Sequence, residues 1–320
     1  RLYLGIYFLG MPFLFMYNVL AAIFNAMGDS RTPLYLLIFS SVLNVGLDIL
    51  SVTAFGMGVD GVAIATVVAQ GVSACISFFL LMRKLRGYRS ERAEGERFAF
   101  FDSRMLWSGT RVAVPSILQQ SIVSIGMLLV QSVVNSFGSP ALAGYSAGSR
   151  IESLCIVPMI ATGNAVSTFT AQNIGARRDD RVHQGYKACM FMVFIFSLII
   201  TAIIYLFGPQ LLGLFLNQGA EGSAMSYGLS YMKTVSVFYI LMGFLFVGNG
   251  LLRGAGDMGA FMLSSMSNLV SRVAIAYLLA HFIGSSAIWW SIPAGWAVGA
   301  AVSLLRVKSG KWMRKAVADR

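Results

Sequence analysis

Long apolar runs, separated by short polar connections, are the main pattern of this chain. Nine runs are long enough to cross a bilayer, because a hydrocarbon core of about 30 Å needs about 20 apolar residues of helix. Residues 34–50 and 191–207 are apolar on nearly every helical face, whereas a surface helix of a soluble protein keeps a polar face. The pattern therefore predicts an all-α integral membrane protein. The predicted spans are residues 2–25, 34–55, 62–82, 105–137, 142–171, 188–216, 227–252, 261–281 and 288–305.

The basic residues give this membrane protein a predicted orientation. The formal net charge is +11, from 24 Lys and Arg against 13 Asp and Glu. Most of the excess lies in alternate connections and at the C-terminus, whereas the connections at 56–61, 138–144, 217–226 and 284–287 contain no Lys or Arg. Basic connections of membrane proteins face the cytoplasm. We therefore expect a multi-pass protein of the plasma or inner membrane with a cytoplasmic C-terminus, and no nucleic-acid partner.

The sequence carries no pattern typical of an enzyme or a metal site. It has no phosphate-binding loop, no dinucleotide-binding glycine run and no HExxH motif, and its two histidines lie in different segments. The three cysteines, Cys75, Cys155 and Cys189, have no paired or metal-ligand spacing. We therefore expect no catalytic activity, no resident metal and no organic cofactor.

An internal repeat organises the chain. Residues 22–48 resemble residues 250–276, and aligning the two Gly-Asp turns at Asp29 and Asp257 gives an offset of 228 residues (257 minus 29). Six predicted spans separate the two copies, so both copies have the same orientation in the membrane, as in a parallel repeat. The second half has six spans and the first has three, which match the last three of the second. We therefore expect about three further helices before the first span, so that the chain is an N-terminally truncated fragment.

The predicted domains follow from this repeat. They are a partial N-lobe of three helices at 1–82, a cytoplasmic linker at 83–104, a C-lobe of six helices at 105–306 and a basic cytoplasmic tail at 307–320. The linker is rich in charged residues and contains Gly87 and Gly95. Such a segment cannot form part of an apolar core.

Five motifs in this order resemble the multidrug and toxic compound extrusion (MATE) transporters. They are GDSRTP at 28–33, LNVGLD at 43–48, VAVPSILQQ at 112–120, AGYSAGSRIESL at 143–154 and AQNIGARRDDR at 171–181. The resemblance implies helices four to twelve of a twelve-helix, two-lobe transporter that acts as a monomer in the lipid bilayer. It also implies export of cationic or amphiphilic compounds by alternating access, in exchange for Na+ or H+. The alternative is a flippase for lipid-linked precursors from the same superfamily, whose cavity would be more cationic to hold a pyrophosphate.

Asp48 is the first candidate for an ion or substrate site. A carboxylate in an apolar helix is costly unless it faces a cavity or a partner, and Asn44 lies one turn earlier on the same helical face. The alternative is that Asp48 lies at the outer membrane surface and caps the end of its helix.

Arg150 and Glu152 form the second candidate, in a segment rich in Gly and Ser near the start of the fifth predicted span. They either form a gate or bind the coupling ion, or they lie at the outer interface with Arg150 reaching into water. Arg272 takes the place of Asn44 in the repeat (272 minus 44 is 228). Its guanidinium serves either packing of the C-lobe or contact with substrate.

Neutral polar side chains are the third group of candidates. Gln119 and Gln120 lie in the fourth predicted span and Asn164 in the fifth. They either line a cavity, for which we favour Gln119 and Asn164, or join helices by hydrogen bonds. Pro115 and Pro158 interrupt the hydrogen bonds of the same two helices and predict bends there.

Overall fold

The computed structural model describes residues 2–88, 101–216, 222–284 and 286–313, and these ranges contain eleven α-helices. In chain order the helices are α1 (Leu2–Ala26), α2 (Arg31–Thr53), α3 (Val59–Tyr88), α4 (Ser103–Asn135), α5 (Ser139–Cys155), α6 (Val157–Gly175), α7 (Asp179–Gly213), α8 (Gly222–Ser236), α9 (Tyr239–Gly254), α10 (Met258–Ile283) and α11 (Ser286–Lys308).

Eight membrane crossings, or nine if one bent pair of helices is counted as a crossing, account for these helices. Eight stretches are long and apolar enough to span a membrane, and one of them comprises α5 and α6 together. Helices α8 and α9 meet the same criterion as a pair bent by 53°. The predicted all-α membrane fold is therefore confirmed within the described ranges.

The ends of the predicted linker at 83–104 are helical. Helix α3 continues to Tyr88 and α4 begins at Ser103, while residues 89–100 lie outside the described part of the chain. Lys84 and Arg86 are good helix formers, and their long side chains reach water from a helix that leaves the membrane. The end of the apolar pattern indicates where the hydrocarbon core ends, and α3 continues beyond that point.

The chain divides into two compact units, residues 1–100 and 101–320. In the first unit α3 packs against both α1 and α2. A small core of Leu20, Phe24 and Leu81 forms near one end of α1 and α3. Helix α1 approaches α3 closely where Gly10 lies against Val67. The unit is thus a three-helix assembly organised around α3.

The second unit holds α4 to α11 and has two apolar cores. The larger core includes Tyr231, Tyr239, Trp289 and Trp296, and joins α4, α5, α7, α8, α9 and α11. The smaller core includes Trp312 and joins the ends of α6, α9 and α11 to the starts of α7 and α10. The described part of the predicted tail, 307–313, begins within α11 and packs against the rest of the unit through Trp312.

The break between α5 and α6 lies at Ile156, two residues before Pro158. Proline has no N–H to donate and its ring crowds the carbonyl four residues earlier. Near Pro158 the structure therefore has a one-residue interruption of the helix, and α5 and α6 still form one continuous span. Helix α4, in contrast, runs through Pro115 as one helix.

The break between α8 and α9 occurs without a proline, and α7 compensates for it. The hydroxyl of Thr201 donates a hydrogen bond to the carbonyl of Ser236 at 2.7 Å, and the Tyr205 hydroxyl donates to the carbonyl of Lys233 at 3.3 Å. A carbonyl without a partner inside a membrane protein is costly. Hydrogen bonds from a neighbouring helix therefore stabilise a bend that the sequence analysis did not predict.

Glycines allow the broken helices to pack backbone to backbone. Gly144 on α5 lies against the backbone of Ala224 and Gly228 on α8. Gly250 on α9 lies against the carbonyl of Gly163 on α6. Small residues permit such close approach between membrane helices. The two broken spans are thereby held side by side along their length.

The first Gly-Asp turn joins α1 to α2 and also holds α3. Gly28 has φ 80°, a conformation that favours glycine, as predicted. Asp29 accepts hydrogen bonds from the backbone N–H and hydroxyl of Thr32, and pairs with the Lys84 ammonium at 2.6 Å. The hydrogen bond from Lys84, with those from Thr32, holds the pKa of Asp29 well below its usual range. Asp29 is therefore ionised at neutral pH.

The second Gly-Asp turn repeats this arrangement between α9 and α10. Gly256 has φ 74°. The fully buried carboxylate of Asp257 pairs with the Arg306 guanidinium of α11 at 2.6 Å. In both copies of the repeat, the Asp of the turn therefore binds a basic residue near the end of the helix after next. The turns connect three helices at one membrane face in each copy.

Cysteine labelling would check the membrane orientation. We expect a cysteine at Ser309, just beyond α11, to resist an impermeant thiol reagent in intact cells, and one at Ser139, at the start of α5, to react. Both positions are exposed in the structure, and basic segments stay on the cytoplasmic side. Cys75, Cys155 and Cys189 should first be replaced by Ala. Labelling at position 309 together with protection at position 139 would show that the orientation is the opposite of the predicted one.

Candidate functional site

Three polar side chains meet in the first unit, on the facing sides of α2 and α3. The Asn44 amide donates hydrogen bonds of 3.4 Å to Asp48 Oδ1 and to the Thr66 hydroxyl oxygen. Asn44 and Asp48 are one helical turn apart, as the sequence indicated. Thr66 donates its own proton to the carbonyl of Val62 at 2.9 Å. All three polar side chains are half-buried.

The Asp48 carboxylate is the charged member of this trio. Asp48 Oδ2 has no hydrogen-bond partner among the described residues. The Asn44 amide N–H group lies between the Asp48 carboxylate and the Thr66 hydroxyl and donates to both. Hard cations prefer oxygen ligands, and a carboxylate can also bind a proton. The hydrogen bond to Asn44, rather than a bond to a helix end, is what the structure shows for Asp48.

Arg150 and Glu152 are not brought together. Residues two apart point to different helical faces, and Arg150 is exposed whereas Glu152 is half-buried. Glu152 lies next to the break that ends α5, well inside the span formed by α5 and α6. Of the two interpretations made from the sequence, an interior position fits Glu152.

Glu152 adjoins an aromatic cluster. Its carboxylate accepts a hydrogen bond from the hydroxyl of Tyr231 on α8. The Tyr231 ring packs at 5.1 Å from Trp289 and 5.2 Å from Tyr145, and Tyr145 stacks on Trp289 at 5.8 Å. Aromatic side chains exclude water while a hydroxyl at their tip can serve a polar group. The carboxylate of Glu152 is thereby held beside an aromatic cluster within the second unit.

Arg272 of α10 belongs to the same part of the C-lobe. It interacts electrostatically with Glu152 and with the Tyr145 side chain. Its Nε atom and the side-chain oxygen of Asn268, one turn earlier, are buried without a hydrogen-bond partner in the described chain. The structure therefore joins two of the predicted candidates, Glu152 and Arg272, which lie 120 residues apart in sequence.

The neutral candidates have different environments. Gln119 is half-buried and Gln120 is exposed on α4. Asn164 is exposed on α6, and its side-chain oxygen accepts a hydrogen bond of 2.7 Å from the Arg253 guanidinium. Arg253 also donates to the hydroxyl of Ser167 at 3.2 Å. Asn164 thus positions a cation on the surface of the C-lobe.

Sequence reasoning did not single out Thr66, Tyr231, Arg253 or Lys233. Thr66 and Tyr231 are ordinary polar members of apolar helices, and only the facing helices reveal their partners. Arg253 closes α9, and Lys233 lies eleven residues into α8, about 16 Å along the helix. The Lys233 ammonium lies over the Tyr205 ring at 5.8 Å. Both cations were visible in the sequence as basic residues in or beside a predicted span, which is a rare and costly placement.

Acidic and thiol side chains do not converge in the described ranges: no group of three or more His, Cys, Asp or Glu lies close enough to hold a metal ion. The oxygen-rich trio at Asp48 has a single carboxylate. Such a set suits a monovalent cation or a proton better than a multivalent metal, which takes several carboxylates.

Eight or nine apolar spans, a pair of helices bent by 53° and the carboxylate of Glu152 held within a span are features of a polytopic membrane transporter. A MatE family model matches residues 115–278, slightly more than half of the chain. This chain belongs to the MATE family of multidrug transporters, which are not enzymes, and the resemblance noted from the sequence motifs is confirmed. A model of the lipid II flippase MurJ matches residues 2–140, which reflects a distant superfamily relation.

Known proteins resemble the chain over nearly its whole length. The probable multidrug resistance protein YpnP of Bacillus subtilis is 31% identical over 312 residues, covering 97% of this chain and 68% of YpnP. An outward-facing multidrug resistance MATE family transporter of the MOP superfamily matches with a TM-score of 0.86 and 26% identity, over 98% of this chain and 70% of its own. A MOP superfamily transporter from Pyrococcus furiosus, described as having a binding pocket of reverse polarity, matches with a TM-score of 0.87 at 26% identity, over 97% of this chain and 70% of its own.

Proposed function

We propose that this protein is a secondary active exporter that moves cationic or amphiphilic compounds out of the cell in exchange for Na+ or H+. The observation that carries the proposal is the hydrogen-bonded trio of Asn44, Asp48 and Thr66 in the first unit. It provides one negative charge within a membrane helix, beside two neutral polar side chains. The chain spans 68% of the length of YpnP, so the activity is proposed for the transporter as a whole.

The trio can couple two fluxes because a half-buried carboxylate favours one bound positive charge. Asp48 is five residues from the end of α2, about 7.5 Å along the helix. A coupling ion or proton neutralises it in one conformation, and its departure restores the negative charge. A transporter changes its conformational equilibrium only as far as the ligand binds the two states differently. The charge on Asp48 is the source of that difference in this proposal.

The C-lobe contributes a second interior carboxylate. Glu152 is held by Tyr231 close to the junction of α5 and α6, and the neighbouring α8–α9 break lies in the adjacent span. Breaks in transporter helices commonly border substrate and ion sites. Glu152 is therefore the second candidate for ion coupling. The positive charge of Arg272 lies beside it and modifies its affinity for the coupling ion.

The remaining assignments complete the proposal. The basic connections and the C-terminal segment are placed on the cytoplasmic side of the plasma or inner membrane, in accordance with the positive-inside rule. The transported compound is a small cation or amphiphile and the working unit is a monomer. No cofactor is required beyond the coupling ion.

The alternative is a flippase for a lipid-linked precursor, favoured by the match of residues 2–140 to the flippase model. Arg272, Lys233 and Arg253 supply more positive charge in the spans than the sequence pattern suggested. Arg272, however, lies beside Glu152, and Arg253 is bound by Asn164 and Ser167. Two of the three cations are therefore already engaged, which favours the exporter.

A transport assay distinguishes the two functions. The complete gene should be expressed, and the protein reconstituted in liposomes containing ethidium. We expect ethidium efflux to respond to an imposed Na+ or proton gradient, and translocation of a fluorescent lipid-linked pyrophosphate to stay at the level of protein-free liposomes. Translocation of the lipid without gradient-dependent ethidium flux would instead establish the flippase.

A further inference from the structure

One backbone conformation sets the α6–α7 turn apart from the other turns of the described chain. Seven residues of the described chain have a positive φ, and six of them are glycines. The exception is Arg177, with φ 58°. It closes α6, because the Arg178 N–H donates to the carbonyl of Asn173 at 2.8 Å and the Arg177 N–H to Ile174 at 3.0 Å. Glycine is the usual residue at such a helix end, and a strained non-glycine residue points to a function for its side chain.

The side chains around this turn are basic and free to bind. Arg177, Arg178 and Arg181 are all exposed, and none forms a salt bridge within the described residues. Asp179 and Asp180 lie between them, in the first turn of α7. A carboxylate there is stabilised by the helix dipole, which leaves the three guanidinium groups available for another anion.

The C-terminal segment packs beside this turn. Helix α11 ends at Lys308, the chain reverses at Gly310 with φ 65°, and Trp312 is fully buried. The Trp312 indole donates to the carbonyl of Val307 at 3.2 Å and its ring lies 5.7 Å from that of His183 on α7. Segments more than 120 residues apart in sequence are thereby joined.

This packing creates one basic surface, which we name the basic rim: Arg177, Arg178, Arg181, Lys308 and Lys311. All five side chains are exposed. Trp312 shares its apolar core with Ile174 and Val182, which flank the α6–α7 turn on either side. The two halves of the rim are therefore fixed relative to each other by packing.

The surroundings of the rim identify its partner. The rim lies where α6, α7 and α11 leave the membrane. Farther along α7, the apolar side chains of Phe191 and Met192 are 64% and 47% exposed. A phospholipid offers both an anionic phosphate for the arginines and acyl chains for this apolar side. A soluble acidic protein or a nucleic acid would use only the charges. We infer that the basic rim binds the headgroup of an anionic phospholipid in the membrane leaflet on its own side.

The role of Arg177 follows from this binding. The arginine is retained in a conformation suited to glycine because its guanidinium contacts the lipid phosphate. Binding also bridges the α6–α7 turn and the C-terminal segment. The lipid should therefore stabilise the C-lobe as well as attach to it.

The test compares anionic and zwitterionic lipids on the purified protein in detergent. Native mass spectrometry would measure the binding of phosphatidylglycerol and phosphatidylcholine, and thermal unfolding would measure stability. For Arg177→Gly we expect about fivefold weaker binding of phosphatidylglycerol, since one basic group near an anionic membrane contributes this much. In phosphatidylcholine the same variant should unfold at the wild-type temperature or above it. For Arg178→Gln with Lys311→Gln we expect about twentyfold weaker binding.

Arg104→Gln is the matched control, because Arg104 is exposed in the first turn of α4 and lies outside the rim. It should bind phosphatidylglycerol as the wild type does. An equal loss in Arg104→Gln would show a general effect of net charge and overturn the proposal. Unchanged phosphatidylglycerol binding by Arg177→Gly would also overturn the proposal. Full displacement of the lipid by inorganic phosphate, added at the molar concentration of the lipid phosphate, would overturn it as well. Persistence of the lipid under that phosphate challenge would support the proposal.

Discussion

Replacing Asp48 by Asn should abolish most gradient-driven efflux while leaving the protein folded in the membrane. The substitution keeps the shape of the side chain and the hydrogen-bonding potential toward Asn44, but removes the charge that attracts a coupling ion. A hydrogen bond or contact to a charged group is worth about 1.5–3 kcal/mol, which corresponds to a loss of roughly tenfold or more in ion affinity. Initial rates of ethidium efflux in liposomes, measured across Na+ and pH gradients, would report the effect.

Asp60→Asn is the matched control for this experiment. Asp60 lies in the first turn of α3, near the same end of the unit as Asp48, and carries the same charge. Its removal should leave efflux close to wild type. Thr66→Val should retain efflux but require a higher ion concentration for half-maximal rate, since it removes one neutral oxygen. Wild-type efflux by Asp48→Asn under all gradients would move the coupling carboxylate elsewhere, with Glu152 the next residue to examine.

Replacing Gly250 by Ala should destabilise the C-lobe, although alanine favours helices. A Cβ atom at Gly250 would collide with the carbonyl oxygen of Gly163 on α6, so α6 and α9 would have to separate. Overpacking of this kind costs about 1–3 kcal/mol. The midpoint of thermal unfolding should fall by roughly 2–4 °C for each kcal/mol in a unit of this size, as measured by size-exclusion chromatography after heating.

Gly109→Ala is the control with the opposite sign. Gly109 lies within α4, and a Cβ atom there would meet nothing within 4 Å. Alanine should therefore raise the stability by about 0.8–1 kcal/mol through helix propensity alone. If both variants changed the unfolding temperature in the same direction, the close backbone contact between α6 and α9 would not control the packing of these helices.

The candidate sites show where the one-dimensional pattern stops being informative. Asn44 and Asp48 are predictable because a spacing of four residues on one helix sets their proximity. Thr66 is not, since its partner lies on another helix and threonine is common in apolar spans. The pairing of Glu152 with Tyr231 across 79 residues has the same limitation. Arg150, which the sequence grouped with Glu152, lies on a different face and is exposed.

The helix breaks divide in the same way. Pro158 predicts the end of α5, because proline lacks an N–H donor and its ring crowds a carbonyl of its own helix. The α8–α9 bend depends on Thr201 and Tyr205 of α7, so no local signal at residues 236–239 could reveal it. The buried Trp312 in a segment otherwise predicted as a basic tail is a further case, because a partner core decides whether one aromatic residue is buried.

The sequence by itself determined the all-α membrane class and the family, and it predicted nine crossings and a parallel repeat. These follow from apolar length, charge placement and turn chemistry, which are properties of neighbouring residues and of the bilayer as a solvent. Only the tertiary structure decided which polar groups meet, where α8 and α9 bend, and how the C-terminal segment joins the α6–α7 turn to form the basic rim. Those features depend on contacts between helices distant in sequence, and inside a membrane almost any apolar helix face can be accommodated by lipid. Close packing and the pairing of rare polar groups then select one arrangement of the helices.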